Sequence, residues 1–88
     1  MTPGQIVKVK NGRDKDSYMV VVSVDERSLL LVDGLRRKLA QPKKKNIKHV
    51  SLTKVVVNLV PVCGRSLQDA DIRKAIRTFV LKEVSNIV

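Results

Sequence analysis

Cysteine and histidine each occur once in this 88-residue sequence, at Cys63 and His49. An internal disulfide is therefore excluded, and so is a zinc site built from these two residue types, which takes several such ligands. A lone thiol fits a reducing compartment, and Cys63 reads as a small buried apolar residue. No apolar run approaches the roughly 18 residues that span a bilayer. The N-terminal MTPGQIVKVK also lacks the apolar stretch of a signal peptide, so a cytoplasmic location is the default. There is no glycine loop of the phosphate-cradling type, no carboxylate pair and no nucleophile–base arrangement, and the chain is expected not to be an enzyme. No cofactor motif is present, and nothing around His49 makes it a catalytic imidazole.

Acidic side chains are the other scarcity. Eight aspartates and glutamates face 18 lysines and arginines, a net charge of +10. Thirteen of the basic and five of the acidic residues lie between Met1 and Lys54, so +8 of the charge sits there. The densest stretch, RRKLAQPKKKNIKH from Arg36 to His49, holds seven cations and no carboxylate. Such a stretch suits a polyanion, because cations that neutralise phosphates release condensed counterions. The bland alternative for Lys43, Lys44 and Lys45 is a solvated loop that aids solubility.

The pattern along the chain predicts one small domain, mostly β with a C-terminal helix. Gln5–Lys10 alternates Val7 and Val9 with lysines, the period of a strand with one buried face. Asn11-Gly12 turns the chain into a polar loop with Arg13 and Lys15, for which Asp14 and Asp16 are local partners. Tyr18–Val24 and Leu29–Val32 are β-branched or apolar runs and predict the second and third strands. Asp33-Gly34 then closes a hairpin in which Leu35–Leu39 is expected to pair back as a fourth strand. Pro42 and three mutually repelling lysines predict an exposed loop over Ala40–Asn46, followed by a short fifth strand over Ile47–Leu52. Lys54–Val62, interrupted by Pro61, fits either an edge strand or an extended cover. From Ile72 through Ala75, Ile76, Phe79, Val80 and Val84 the apolar period becomes helical, with Arg73, Lys74, Arg77 and Lys82 opposite. The helix is expected to begin near Leu67 with Ser66 as its N-cap, and Asp69 and Asp71 complement its dipole.

The order Gly4-Gln5-Ile6-Val7, GRDK at Gly12–Lys15, the valines Val20–Val22, Val32-Asp33-Gly34 and PKKKNIKHV at Pro42–Val50 resembles the bacterial KOW-domain RNA-binding proteins. It is similar, more distantly, to the KOW part of large-subunit ribosomal protein fourteen of eukaryotes and archaea. The likeness runs from about Pro3 to Leu52. It implies a small SH3-like β-barrel of about five strands over residues 1–54; the apolar extension and amphipathic helix read from the pattern over 55–88 are expected to pack on it. It also implies binding to structured RNA, above all ribosomal RNA or the ribosome. Asp16 departs from the family's pattern, which has glycine there; glycine points to positive φ, which aspartate tolerates better than most residues. A carboxylate beside Lys15 also counts against RNA contact at that loop.

The candidate RNA-binding residues are Arg13, Lys15, Arg36, Arg37, Lys38, Lys43, Lys44, Lys45, Lys48 and His49. With only Tyr18 and Phe79 aromatic, both expected to be partly core, the chain has few rings on which to stack unpaired bases. Recognition is therefore expected through phosphates, 2′-hydroxyls and shape, with Arg36 and Arg37 suited to bidentate phosphate bonds. The competing expectation is a protein-binding module like the KOW domains of NusG-type transcription factors. The helix is a candidate docking surface for a protein partner, and the edge at Val55–Val57 leaves oligomeric state open. A membrane-surface role fits poorly, because no amphipathic helix with bulky apolar anchors adjoins the basic stretch.

Overall fold

The computed structural model describes residues 2–13, 15–57 and 67–85, without the side chains of 83–85. Asp14, Cys63, Ser66, the side chain of Val84 and the 58–62 part of the apolar run, each assigned a role from the sequence, fall outside that description. Five strands form one antiparallel sheet: β1 (Gln5–Val9), β2 (Tyr18–Val24), β3 (Ser28–Val32), β4 (Lys43–Asn46) and β5 (Val50–Val56), in the order β4-β3-β2-β1-β5. A three-residue 3-10 turn, Ile47–His49, separates β4 from β5, and a helix, α1 (Asp69–Ser85), follows. No helix among the described residues is long and apolar enough to cross a membrane.

Both faces of the sheet are covered, which explains why β2 is apolar almost without alternation. Met19, Val20 and Val21 are consecutive and all fully buried, as in strands with a core on either side. On the inner face Val7, Val9, Met19, Val21, Leu29, Leu31 and Val50 form one cluster, with Ile47 against it. On the outer face Ile6, Val20 and Val32 meet Ile72 and Phe79 of α1. Burying an isoleucine such as Ile6 or Ile72 contributes about 1.5–3 kcal/mol. Phe79 also meets Tyr18 edge to face, with ring centroids 5.0 Å apart and planes at 67°. The helical period thus buries Ile72 and Phe79 and half-buries Ala75 and Ile76, with Arg73, Lys74, Arg77 and Lys82 exposed as expected, but Val80, assigned to the core face, is exposed beside them. The first turn starts at Asp69, two residues later than expected. Gln68 takes the capping place: its carbonyl accepts from Asp71 N (3.0 Å), and its own N–H donates to Asp71 Oδ2 (3.0 Å).

Three expectations about the middle of the chain are corrected. Leu35–Leu39 does not pair as a strand, because Asp33 draws the backbone into a tight loop. Instead the lysine triplet itself, assigned to an exposed loop, forms β4 and pairs Lys43–Asn46 with Leu31–Ser28. An edge strand with one solvated side needs no apolar sequence, and lysine is a common edge residue. Nor is Ile47–Leu52 one strand: its first three residues are the 3-10 turn, and β5 continues to Val56.

The expected closed barrel is an open sheet, since β4 and β5 are its two edges and do not pair. The 3-10 turn bridges them. Ile47 N donates to Arg27 O (3.1 Å) after β2, and His49 O accepts from Lys10 N (2.7 Å) after β1. Two register shifts help the sheet bend, one between Val21 and Ser23 of β2 and one between Gln5 and Val7 of β1 against β5. At the second, Gln5 Nε2 donates to Thr53 O (2.8 Å) and Thr53 Oγ1 to Ile6 O (2.7 Å), satisfying carbonyls where the ladder is irregular.

Asp16 has φ 69°, the one non-glycine residue with positive φ among those described, the conformation expected there. Its amide N–H donates to Val9 O (2.7 Å), so the conformation is tied to the end of β1. Asp16→Val is expected to lower stability by about 1–2 kcal/mol and Asp16→Gly to change it by less than about 0.5 kcal/mol, measured by urea unfolding. Equal stabilities for the two variants would contradict this backbone assignment.

Candidate nucleic-acid interface

In an antiparallel run of four strands the first and third connections emerge at the same end. The β1–β2 loop (10–17), with Arg13 and Lys15, therefore lies beside the β3–β4 loop (33–42), with Arg36, Arg37 and Lys38. Asp16 and Ser17 of the first loop and Asp33 and Leu35 of the second line a common groove. Residues some 20 positions apart in sequence thus share one surface.

The β3–β4 loop is fixed by carboxylates that accept backbone N–H groups. Asp33 Oδ1 accepts from Leu35 N (2.8 Å) and Arg37 N (2.9 Å), while Asp33 N returns a bond to Arg37 O (2.9 Å). From the helix, Asp69 Oδ1 accepts from Leu39 N (2.7 Å) and Arg73 Nη1 donates to Gly34 O (2.7 Å). Gly34 sits at φ 79° where a Cβ would run into the Asp69 backbone oxygen and the Arg73 side chain. The cations of this loop consequently ride on backbone held from two sides. Arg36 and Lys38 are exposed, and Arg37 is half-buried.

Strand pairing divides the lysine triplet. Lys43 and Lys45 lie opposite Leu31 and Leu29, on the inner face, where their stems are half-buried against the rim of the core. Lys45 Nζ reaches the β1–β2 loop and donates to Asn11 O (2.7 Å), while Asn11 Nδ2 lies 2.6 Å from His49 Nδ1. Loop, strand and 3-10 turn are locked together there. Lys44 points to the other face, beside Asp25 and Ser28. Lys48 likewise adjoins Glu26 and Arg27. The sequence treats these residues as one patch; the structure gathers Arg13, Lys15, Arg36, Arg37, Lys38, Lys43 and His49 towards one end, leaves Lys44 and Lys48 near an acidic turn, and sets Lys45 between, in the pocket with Asp25 and Glu26 but with its Nζ on Asn11 O.

None of Arg13, Lys15, Arg36, Lys38, Lys43, Lys44, Lys45 or Lys48 forms an ion pair among the described residues; Asp16 approaches Lys8 instead, at 4.0 Å. A carboxylate beside Lys15 in sequence is therefore directed elsewhere. Unneutralised cations on a braced backbone can hold an extended polyanion with little ordering of the protein. The sequence reading missed Arg73, Lys74 and Arg77, which line the same groove from α1. Their helical spacing opposite the core was visible, but not which part of the sheet that face overlooks.

The chain matches no protein-family model and no curated protein sequence.

Proposed function

We propose that this protein is a ribosome-associated RNA-binding protein whose open sheet, bridged by the 3-10 turn, is an SH3-like barrel of KOW type. It holds folded ribosomal RNA by phosphate and 2′-hydroxyl contacts at the end of the sheet where the β1–β2 and β3–β4 loops meet. The reading rests above all on one observation: Arg36, Lys38 and Lys43 have no carboxylate partner among the described residues, and the loop that carries the first two is held in place by Asp33, Asp69 and Arg73, beside the loop of Arg13 and Lys15. The resemblance over Pro3–Leu52 supplies the kind of polyanion. Scarcity of rings supports contact to sugar-phosphate and shape, since Phe79 is buried and Tyr18 half-buried.

Counterion release gives the test. If roughly five to seven cations each neutralise a phosphate, log affinity for a folded ribosomal RNA fragment falls against log salt with a slope of roughly −3.5 to −6. Fluorescence anisotropy over a salt series measures it, and a slope near zero overturns the proposal. Crosslinking in cells with sequencing of the attached RNA separates the kinds of RNA partner: one ribosomal RNA helix supports this reading, scattered messenger RNA indicates a regulator, and no RNA indicates a protein partner.

A further inference from the structure

The groove that the two loops share with α1 has a volume of about 710 Å³, within the range of small-molecule sites. Its lining is partly apolar, from Tyr18, Leu35, Ile76 and Val80, and Leu35 and Val80 are exposed although apolar. Along α1 the apolar Ile76 and Val80 are interleaved with the cationic Arg73, Lys74 and Arg77. Of its two carboxylates, Asp33 Oδ1 accepts two backbone N–H groups and Asp16 lies 4.0 Å from Lys8 Nζ, so the three cations of α1 outnumber them. Positive charge interleaved with apolar surface matches a nucleotide, which is an anion joined to a flat, largely apolar base. The groove is continuous with the proposed phosphate surface, because Leu35 on its wall precedes Arg36. Arg73 adds the decisive feature. Its bond from Nη1 to Gly34 O orients the guanidinium and leaves the remaining N–H donors for a ligand, and guanidinium planes serve as stacking platforms for bases splayed out of folded RNA.

We infer that this groove receives one unpaired nucleotide of the bound RNA, its base on Arg73 and Leu35 and its phosphate on Lys74 and Arg77; the inference rests on the RNA-binding reading above. The domain is then selective for a bulge or loop beside a helix, despite its lack of exposed rings.

The test uses the full chain and two labelled RNA hairpins, one fully paired and one with a single unpaired purine in the stem. The unmodified protein is expected to bind the bulged hairpin about 10-fold more tightly, in keeping with the worth of one stacked base. Arg73→Lys keeps the charge and a donor for Gly34 O but removes the plane; Leu35→Gln alters an exposed side chain. Each is expected to bring the ratio to within about twofold of unity, and Leu35→Gln, which leaves the bracing of the loop untouched, is expected to keep paired-hairpin affinity within about threefold, which also shows that this variant is folded. Equal binding of both hairpins by the unmodified protein, or an undiminished ratio in both variants, overturns the nucleotide site alone. Failure to bind either hairpin overturns the RNA reading with it.

Discussion

Arg36→Glu, Lys38→Glu and Lys43→Glu together are expected to weaken binding to folded ribosomal RNA by roughly 100- to 1,000-fold at about 0.1 M salt. Three phosphate contacts account for about 2–3 units of the slope of log affinity against log salt, and that slope is expected to become shallower by the same amount. The new carboxylates add repulsion as the net charge falls from +10 by six units to +4. All three residues lie outside the packed core; Arg36 and Lys38 are exposed, and Lys43 is half-buried only along its stem, so the fold is expected to persist with an unchanged circular dichroism spectrum. Lys44→Glu is the internal comparison. It carries the same charge change in the same triplet but faces the Asp25 turn, and its effect is expected to stay within about threefold. If the triple variant bound RNA as well as the unmodified chain, the cationic end of the sheet would not be the RNA surface, and a protein partner would become the better reading. If Lys44→Glu matched the triple variant, the division of the triplet by strand pairing would be irrelevant to binding.

The second large effect is expected from adding one methyl group. At φ 79°, Gly34→Ala imposes about 1–2 kcal/mol of left-handed strain, and the new Cβ meets the Asp69 backbone and the Arg73 side chain. Relief requires α1 and the β3–β4 loop to separate. That loosens the Leu39–Asp69 bond and the Arg73–Gly34 bond, each made with a charged group and worth about 1.5–3 kcal/mol when intact. The expected net loss is about 3–4 kcal/mol, a large part of the roughly 4–13 kcal/mol typical of a chain this size. Thermal unfolding by circular dichroism is expected to show a Tm lower by about 12–30 °C. Gly12→Ala is the comparison: φ is also positive, at 90°, but among the described residues the added Cβ closely meets only Lys45 Nζ, the far end of a long side chain that can shift, so about 1–2 kcal/mol is expected. A Gly34→Ala protein as stable as the Gly12→Ala protein would mean that the helix does not brace the loop.

This junction also shows where sequence reasoning stopped. Asp33-Gly34 was recognisable as a turn, and Asp69 as a residue suited to the start of a helix. That the two are neighbours, with Asp69 Oδ1 on Leu39 N across 30 positions, follows from packing Ile72 and Phe79 on Ile6, Val20 and Val32. No local pattern encodes that contact. The lysine triplet failed for a related reason. Side-chain periodicity reports burial, and an edge strand whose lysine heads reach solvent presents almost none to read. β4 exists because the β3 backbone offers hydrogen-bond partners, and every residue type except proline brings the groups that use them.

The amino-acid sequence by itself determined the elements whose side chains bury: β1, β2, β3 and α1, the cationic side of the helix, and the excess of positive charge. Each is a property of neighbours along the chain, fixed by period, branching or turn geometry. Only the tertiary structure decided which cations share a surface, that Lys44 turns from its neighbours, and that Arg73 stands beside Gly34. Those are relations between distant segments, set by strand order and by the face on which the helix settles.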